Sequence, residues 1–189
     1  MVKLNRIYTR TGDAGTTGLV DGSRIAKSHP RMALIGDVDE ANSAIGVAAA
    51  QLPAGPERSM LARIQNELFD LGADVATPGE DFAPSEMTLR IVPAQVERLE
   101  AEIDAMTDRL EPLRSFILPG GSPAAAALHL ARATARRAER TGVAAAAEVS
   151  LNPAALTYLN RLSDHLFVLA RVVNLGAGGD VLWQPGATR

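Results

Sequence analysis

Cysteine is absent from this 189-residue sequence, which excludes disulfide bonds and cysteine nucleophiles. Aromatic residues are also scarce, at 4% of the chain against 47% hydrophobic residues in all, many of them alanine. Such a composition favours closely packed helices over β-sheets. Apolar runs of about 18 residues, the length of a membrane span, are missing. The first ten residues, MVKLNRIYTR, lack the apolar segment of a secretory signal.

Strong charge of either sign is missing as well. The net charge is −3 and the isoelectric point is near 5.6, which argues against a general nucleic-acid binder or a protein of anionic membrane surfaces. We therefore expect a cytoplasmic protein with no nucleic-acid and no membrane partner. The length fits a single domain, 1–189, with a sizeable core.

Helical periodicity fills the chain after residue 29. Apolar residues recur on one face of the second helix, and proline follows an N-cap residue at Ser122 and again at Asn152. The pattern predicts an all-α fold, an antiparallel bundle of five helices spanning 30–175, because the connections are short. An irregular N-terminal loop, 1–29, and a glycine-rich tail, 176–189, flank it. The predicted helices run from Pro30 to about Gln51, over about 56–76 and 93–110, from Pro123 to about Arg140, and from Pro153 to about Asn174.

The N-terminal stretch YTRTGDAGTTGL, 8–19, spaces three glycines three residues apart among four threonines. Glycines let backbone N–H groups converge on an anion, and hydroxyls add donors, so the loop suits phosphate. Gly, Asp and Thr are equally typical of a surface turn or hairpin, and the stretch alone leaves both interpretations open.

Polar residues share faces of the last two helices. Arg132, Arg136 and Glu139 fall at i, i+4 and i+7, which indicates either a solvated surface or a polyphosphate clamp. Asn160 lies on a polar face of the last helix, and Asp39 on the first helix is either exposed or paired with an arginine.

Phe116 opens an apolar wedge, FIL, before the turn PGGS at a helix start. This wedge either plugs the core or lines the site of a flat apolar ligand.

The three histidines form no metal-binding pattern, and no Gly-x-Ser-x-Gly elbow occurs. A nucleophile, if the protein is an enzyme, therefore comes with a substrate.

Five motifs in order resemble those of the PduO-type ATP:cob(I)alamin adenosyltransferases. They are YTRTGDAGTTGL, GDVDEANSAIG, FILPGGS, ARATARRAER and YLNRLSDHLFVLAR, and together they span nearly the whole chain. The resemblance implies a ferritin-like bundle assembled as a homotrimer, with active sites between subunits. It also implies transfer of the 5′-deoxyadenosyl group of MgATP to cob(I)alamin, giving adenosylcobalamin and inorganic triphosphate.

The same resemblance assigns residues to roles. Asp39 would orient Arg132 across the subunit interface, and Phe116 would lie under the corrin and displace its lower ligand. Mg²⁺ would be carried by ATP, with no protein ligand assigned. The ATP contacts would be Thr9, Arg10, Thr11, Gly12, Asp13, Gly15, Thr16, Thr17, Gly18, Lys27, Arg132, Arg136, Glu139 and Asn160.

Two other functions compete with catalysis: a carrier that hands adenosylcobalamin to a dependent enzyme, and a purely structural bundle. A complete loop and an arginine pair favour catalysis, because a carrier needs no triphosphate clamp. The resemblance also suggests two protein partners, a cobalamin reductase and an adenosylcobalamin-dependent enzyme. Neither the role of Trp183 nor that of the stretch 141–150 follows from the motifs.

Overall fold

A computed structural model describes residues 7–86 and 88–189; the first six residues of the predicted loop and one residue of the connector lie outside these ranges. The described residues form five helices and a small antiparallel hairpin, in which Thr17 pairs with Ile25. The predicted all-α bundle is confirmed. The elements are β1 (Thr16–Gly18), β2 (Arg24–Ala26), α1 (Pro30–Ala50), α2 (Pro56–Val75), α3 (Pro93–Thr107), α4 (Pro123–Ala146) and α5 (Pro153–Leu175).

Proline occupies the first position of all five helices. Its missing N–H is not needed there and its fixed φ suits the first turn. The two predicted N-caps are confirmed: the Ser122 hydroxyl accepts from the Ala125 amide, and the Asn152 side chain accepts from the Ala154 amide. These local signals explain why the starts of the helices were predicted closely.

The end of α4 was predicted wrongly. The helix continues from Arg140 to Ala146, through Gly142. Gly142 is buried, and a Cβ placed on it would lie 2.8 Å from Cδ2 of Leu156. Glycine therefore serves close packing of α4 on α5. The stretch 141–150, which matched no motif, thus begins as the last turns of this helix. α3 ends at Thr107, short of residue 110.

Small residues form the packing seam of α4. Ala131, Ala135 and Ala138 are fully buried, and the helix packs against α1 and α5. On α2, the predicted apolar stripe is also buried, with no member more than 3% exposed: Leu61, Ile64, Leu68, Leu71 and Val75. Because the alanine seam faces α1 and α5, the polar face of α4 points away from the core.

The connector between α2 and α3 is anchored by a buried ion pair. Arg90 Nη1 lies 2.7 Å from Asp74 Oδ1, and Asp74 Oδ2 accepts from the Ile91 amide and from Asn152 Nδ2. Because Asn152 also caps α5, one carboxylate joins the end of α2, the connector and the start of α5. In the described part of the chain, no helix is long and apolar enough to cross a membrane.

Candidate functional site

The N-terminal loop folds around the hairpin of β1 and β2. Gly15 adopts a positive φ of 79°, where glycine is favoured, and its carbonyl accepts from the Lys27 amide at 2.8 Å. A Cβ on Gly12 would lie 3.1 Å from Lys27 Nζ. The structure therefore brings Lys27 against the glycine loop. Phosphate binding by this loop stays a prediction.

Arg24 was missed by the sequence analysis. Its Nη2 donates to the Thr11 carbonyl at 2.7 Å and to Thr16 Oγ1 at 2.8 Å, so that one guanidinium links both ends of the loop. The only local signal was its place in a short strand opposite the threonines. Pairing of Gly18 with Arg24 is what sets this side chain beside the loop.

The polar face of α4 lines a cavity of about 330 Å³ with residues of α5. Arg136, Glu139 and Asn160 all border it, and Asn160 Nδ2 donates to Glu139 Oε1 at 2.7 Å. Three residues that the resemblance assigned to ATP thus meet in one place.

Arg140 lines the same cavity, and its Nη1 donates to the Arg136 carbonyl at 3.0 Å. The i+4 spacing from Arg136 was the signal for this position. Arg137 points away from this cavity, toward Asp37 and Glu40 of α1.

A second cavity, of about 590 Å³, lies at the N-terminal part of α4. Phe116 borders it with a side chain that is 77% exposed, which contradicts the alternative in which this residue plugs the core. The Trp183 ring packs against Phe116 at 5.9 Å between centroids. An exposed aromatic pair beside a roomy opening favours the other interpretation, the site of a flat apolar ligand.

The glycine-rich tail forms one wall of this cavity, which the sequence analysis did not predict. The Trp183 amide donates to the Phe116 carbonyl at 2.8 Å, and the Leu118 amide donates to the Val181 carbonyl at 2.8 Å. An ion pair of 2.9 Å between Arg171 and Asp180 holds the tail to α5. Such pairing between distant segments leaves no periodic pattern in a sequence.

The PGGS turn carries Phe116 and the start of α4. Asn174, fully buried on α5, accepts from the Ser122 amide at 3.0 Å and donates to the Gly120 carbonyl at 3.2 Å. Gly121 lies between these bonds at a φ of 102°. One asparagine therefore fixes the turn.

Arg132 stands between the two cavities. It borders the Phe116 cavity, and it lies one helical turn, about 6 Å, from Arg136 in the other. Its Nε is buried and bonds to no other described residue. Burial, and next the neighbouring charge of Arg136, lower the pKa of Arg132. A half-buried guanidinium with an open donor suits an anion supplied from outside the chain.

Asp39 lies elsewhere on this chain. It is exposed on α1 and borders a mostly apolar cavity of about 500 Å³, where Phe69 of α2 is 72% exposed. Within residues 7–86 and 88–189, no ion pair involves Asp39. The predicted pairing of Asp39 with Arg132 therefore does not occur within one chain, and its intersubunit form stays a prediction. No group of three or more histidine, aspartate or glutamate residues in the described ranges could hold a metal ion.

Comparisons with known proteins agree with this geometry. The sequence profile described as cobalamin adenosyltransferase matches residues 7–173. A corrinoid adenosyltransferase of Mycobacterium leprae is 52% identical over 194 residues, covering 98% of both chains. A cobalamin adenosyltransferase of Cupriavidus metallidurans is 51% identical over 185 residues, covering 96% of both.

Solved structures agree as well. A variant PduO-type ATP:corrinoid adenosyltransferase from Lactobacillus reuteri, complexed with cobalamin and ATP, superposes with a TM-score of 0.86 at 37% identity. The match covers 95% of this chain and 99% of that one. The profile match, the similar sequences and the shared fold together show that the chain belongs to the cobalamin adenosyltransferase family.

Proposed function

We propose that this protein transfers the 5′-deoxyadenosyl group of ATP to the cobalt of cob(I)alamin, releasing triphosphate. The observation that carries the proposal is the pair of cavities along α4, one bordered by exposed aromatics and one by arginines, with Arg132 between them. A flat corrinoid fits the first and a nucleotide fits the second. Related proteins bound to both molecules support this arrangement.

On the nucleotide side, Arg132 and Arg136 bind the triphosphate and Lys27 helps from the N-terminal loop. Glu139 and Asn160 contact the nucleoside end; their mutual hydrogen bond keeps both side chains at one cavity. The loop residues wrap the phosphates through amides and hydroxyls: Thr9, Arg10, Thr11, Gly12, Asp13, Gly15, Thr16, Thr17 and Gly18. Mg²⁺ enters with ATP and neutralises part of its charge.

The reaction needs no nucleophile from the protein. The cobalt electron pair attacks C5′, a cobalt–carbon bond forms, and the C5′–oxygen bond breaks as its electron pair leaves with triphosphate. The leaving group carries about four negative charges, so guanidinium groups that face it stabilise the transition state electrostatically. Holding cobalt in line with C5′ is a positioning task, worth several kcal/mol of barrier.

Phe116 contributes because its side chain cannot coordinate cobalt. Its exposed ring offers no lone pair to cobalt, so a corrin lying on it loses its lower axial ligand. Axial ligation and pocket polarity set the potential of a metal macrocycle, and loss of that ligand eases reduction of Co(II). Trp183 extends the same apolar surface.

We infer that the active protein is a homotrimer with its sites between subunits. Three features support this inference, because none of them has a binding partner within the described part of one chain. They are the exposed carboxylate of Asp39, the buried and unpaired Nε of Arg132, and the exposed ring of Phe69 beside the apolar cavity. In the trimer, Asp39 of one subunit orients Arg132 of the next.

The chain acts as one domain: loop 1–29, bundle 30–175 and tail 176–189. A reductase supplies Co(I), and an adenosylcobalamin-dependent enzyme receives the product.

The test is an anaerobic assay with MgATP and chemically reduced cob(I)alamin, following the corrin spectrum and triphosphate release together. Arg132→Ala should lower turnover by about 10²–10³-fold, the usual cost of removing one transition-state donor. Arg109→Ala, at an exposed site on the turn after α3, is the matched control and should leave turnover unchanged. Tight adenosylcobalamin binding by wild type without turnover would indicate a carrier instead.

A further inference from the structure

His129 is buried at the corrin side of the site without a partner. The residue is 2% exposed on α4 and borders the Phe116 cavity. Among the described residues, neither ring nitrogen finds a hydrogen-bond partner, and the ring contacts Phe167 edge-on, at 6.2 Å between centroids. None of the sequence motifs assigned it a role.

An imidazole with both nitrogens unpaired is unusual in a folded protein, because burial costs each group its bonds to water. The buried His165 illustrates the common arrangement: its Nε2 lies 2.9 Å from Glu102 Oε2. Burial, and next the charge of Arg132, lower the pKa of His129, while Asp180 opposes the shift. The ring is therefore neutral near pH 7, with one N–H donor and one acceptor.

We propose that His129 binds the corrinoid by hydrogen bonding to one of its peripheral carboxamides. This inference rests on the proposed function. The corrin faces are apolar and match Phe116 and Phe167, whereas its rim carries carboxamides, each with a donor and an acceptor. A neutral imidazole complements that group, while Arg132, one turn further along α4, offers donors only and suits the triphosphate. His129 thereby fixes the rotation of the macrocycle over Phe116.

The experiment titrates cob(II)alamin into protein with MgATP and follows the corrin spectrum. His129→Leu should weaken corrinoid binding about 3- to 10-fold and leave the MgATP affinity unchanged. His129→Asn, which keeps a donor and an acceptor, should recover part of the loss and covers the case in which the leucine variant does not fold.

Cobalamins with one carboxamide at a time hydrolysed to a carboxylic acid identify the partner. If His129 contacts one amide, hydrolysis at that position weakens binding to wild type but adds nothing further in His129→Leu. Equal losses across the series in wild type and variants, or unchanged affinity of His129→Leu, would overturn the inference.

His165→Asn is the matched control, a buried histidine in another network, and should lower the melting temperature without altering discrimination among the analogues. The two proposals fail separately. A wild-type protein that neither binds nor adenosylates corrinoid refutes the proposed function. Wild-type turnover with normal binding by the His129 variants refutes this inference alone.

Discussion

Gly121 and Gly120 are neighbours in the PGGS turn, and the structure predicts opposite tolerance to alanine. At Gly121 a Cβ would lie 2.3 Å from Asn174 Oδ1 and 2.5 Å from Nδ2, at a φ of 102°. At Gly120 the nearest atom is Val181 Cγ2 at 3.8 Å, an ordinary contact. Gly121→Ala therefore displaces the Asn174 amide, whereas Gly120→Ala displaces nothing.

The expected cost of Gly121→Ala has two parts. Backbone strain costs about 1–3 kcal/mol. Displacing Asn174 removes its bonds to the Ser122 amide and the Gly120 carbonyl, each worth about 1 kcal/mol net. The sum, about 3–5 kcal/mol, corresponds to roughly 10 °C in melting temperature for a chain of this length.

Thermal denaturation of both variants, with corrinoid binding on the folded proteins, tests this reasoning. Gly121→Ala should also weaken corrinoid binding, because the same turn carries Phe116. The double variant Gly121→Ala with Asn174→Ala relieves the contact, so its destabilisation should be smaller than the sum of the single effects. Equal melting temperatures for the two alanine variants would refute the assigned clash.

Three further predictions concern the site and the core. Phe116→Ala should impair the reaction from cob(II)alamin more than that from cob(I)alamin; equal losses in the two assays would mean that the ring only packs. Asp180→Asn weakens the ion pair with Arg171 and should loosen the tail, seen as faster proteolysis after residue 176 and weaker corrinoid binding; an unchanged proteolytic rate would contradict this latch. Glu102 is half-buried, which raises its pKa, but its bonds to His165 and Arg63 outweigh burial and hold the pKa below its usual value. Its contribution to stability is therefore present above about pH 4.5 and lost as pH falls further, so Glu102→Gln should show a shallower acid dependence of the free energy of unfolding; identical slopes would argue against this coupling.

Helix starts could be predicted from the sequence because their causes are local. A serine or asparagine followed by proline indicates a helix start within two residues of sequence, and the caps at Ser122 and Asn152 formed as expected. The end of α4 could not be predicted, because whether Gly142 stops a helix depends on Leu156, which approaches from another helix. A helix boundary can therefore be predicted when neighbouring residues determine it, and not when a residue of another helix does.

The candidate site divides in the same way. Arg136 and Glu139 share a face of one helix, so their meeting follows from helical periodicity alone. The sequence did not predict that Trp183 lies beside Phe116 or that Arg24 lies across the N-terminal loop. Both positions depend on pairing between distant or irregular segments, and such pairing leaves no periodic pattern in the sequence. His129 was visible in the sequence only as a histidine outside any metal pattern. Its unpaired state is a property of the fold.

The alanines of α4 connect packing to function. Alanine side chains are short, so α4 packs closely against α1 and α5 on the face of Ala131 and Ala135. Arg132 and Arg136 each follow one of these alanines directly, and their backbone positions are therefore held by the close packing of this face. A transferase whose nucleophile comes with a substrate depends on orientation more than on reactive side chains. A rigid helix bordering both cavities meets that need, because any tilt of α4 would shift Arg132 in the Phe116 cavity and Arg136 in the other cavity together.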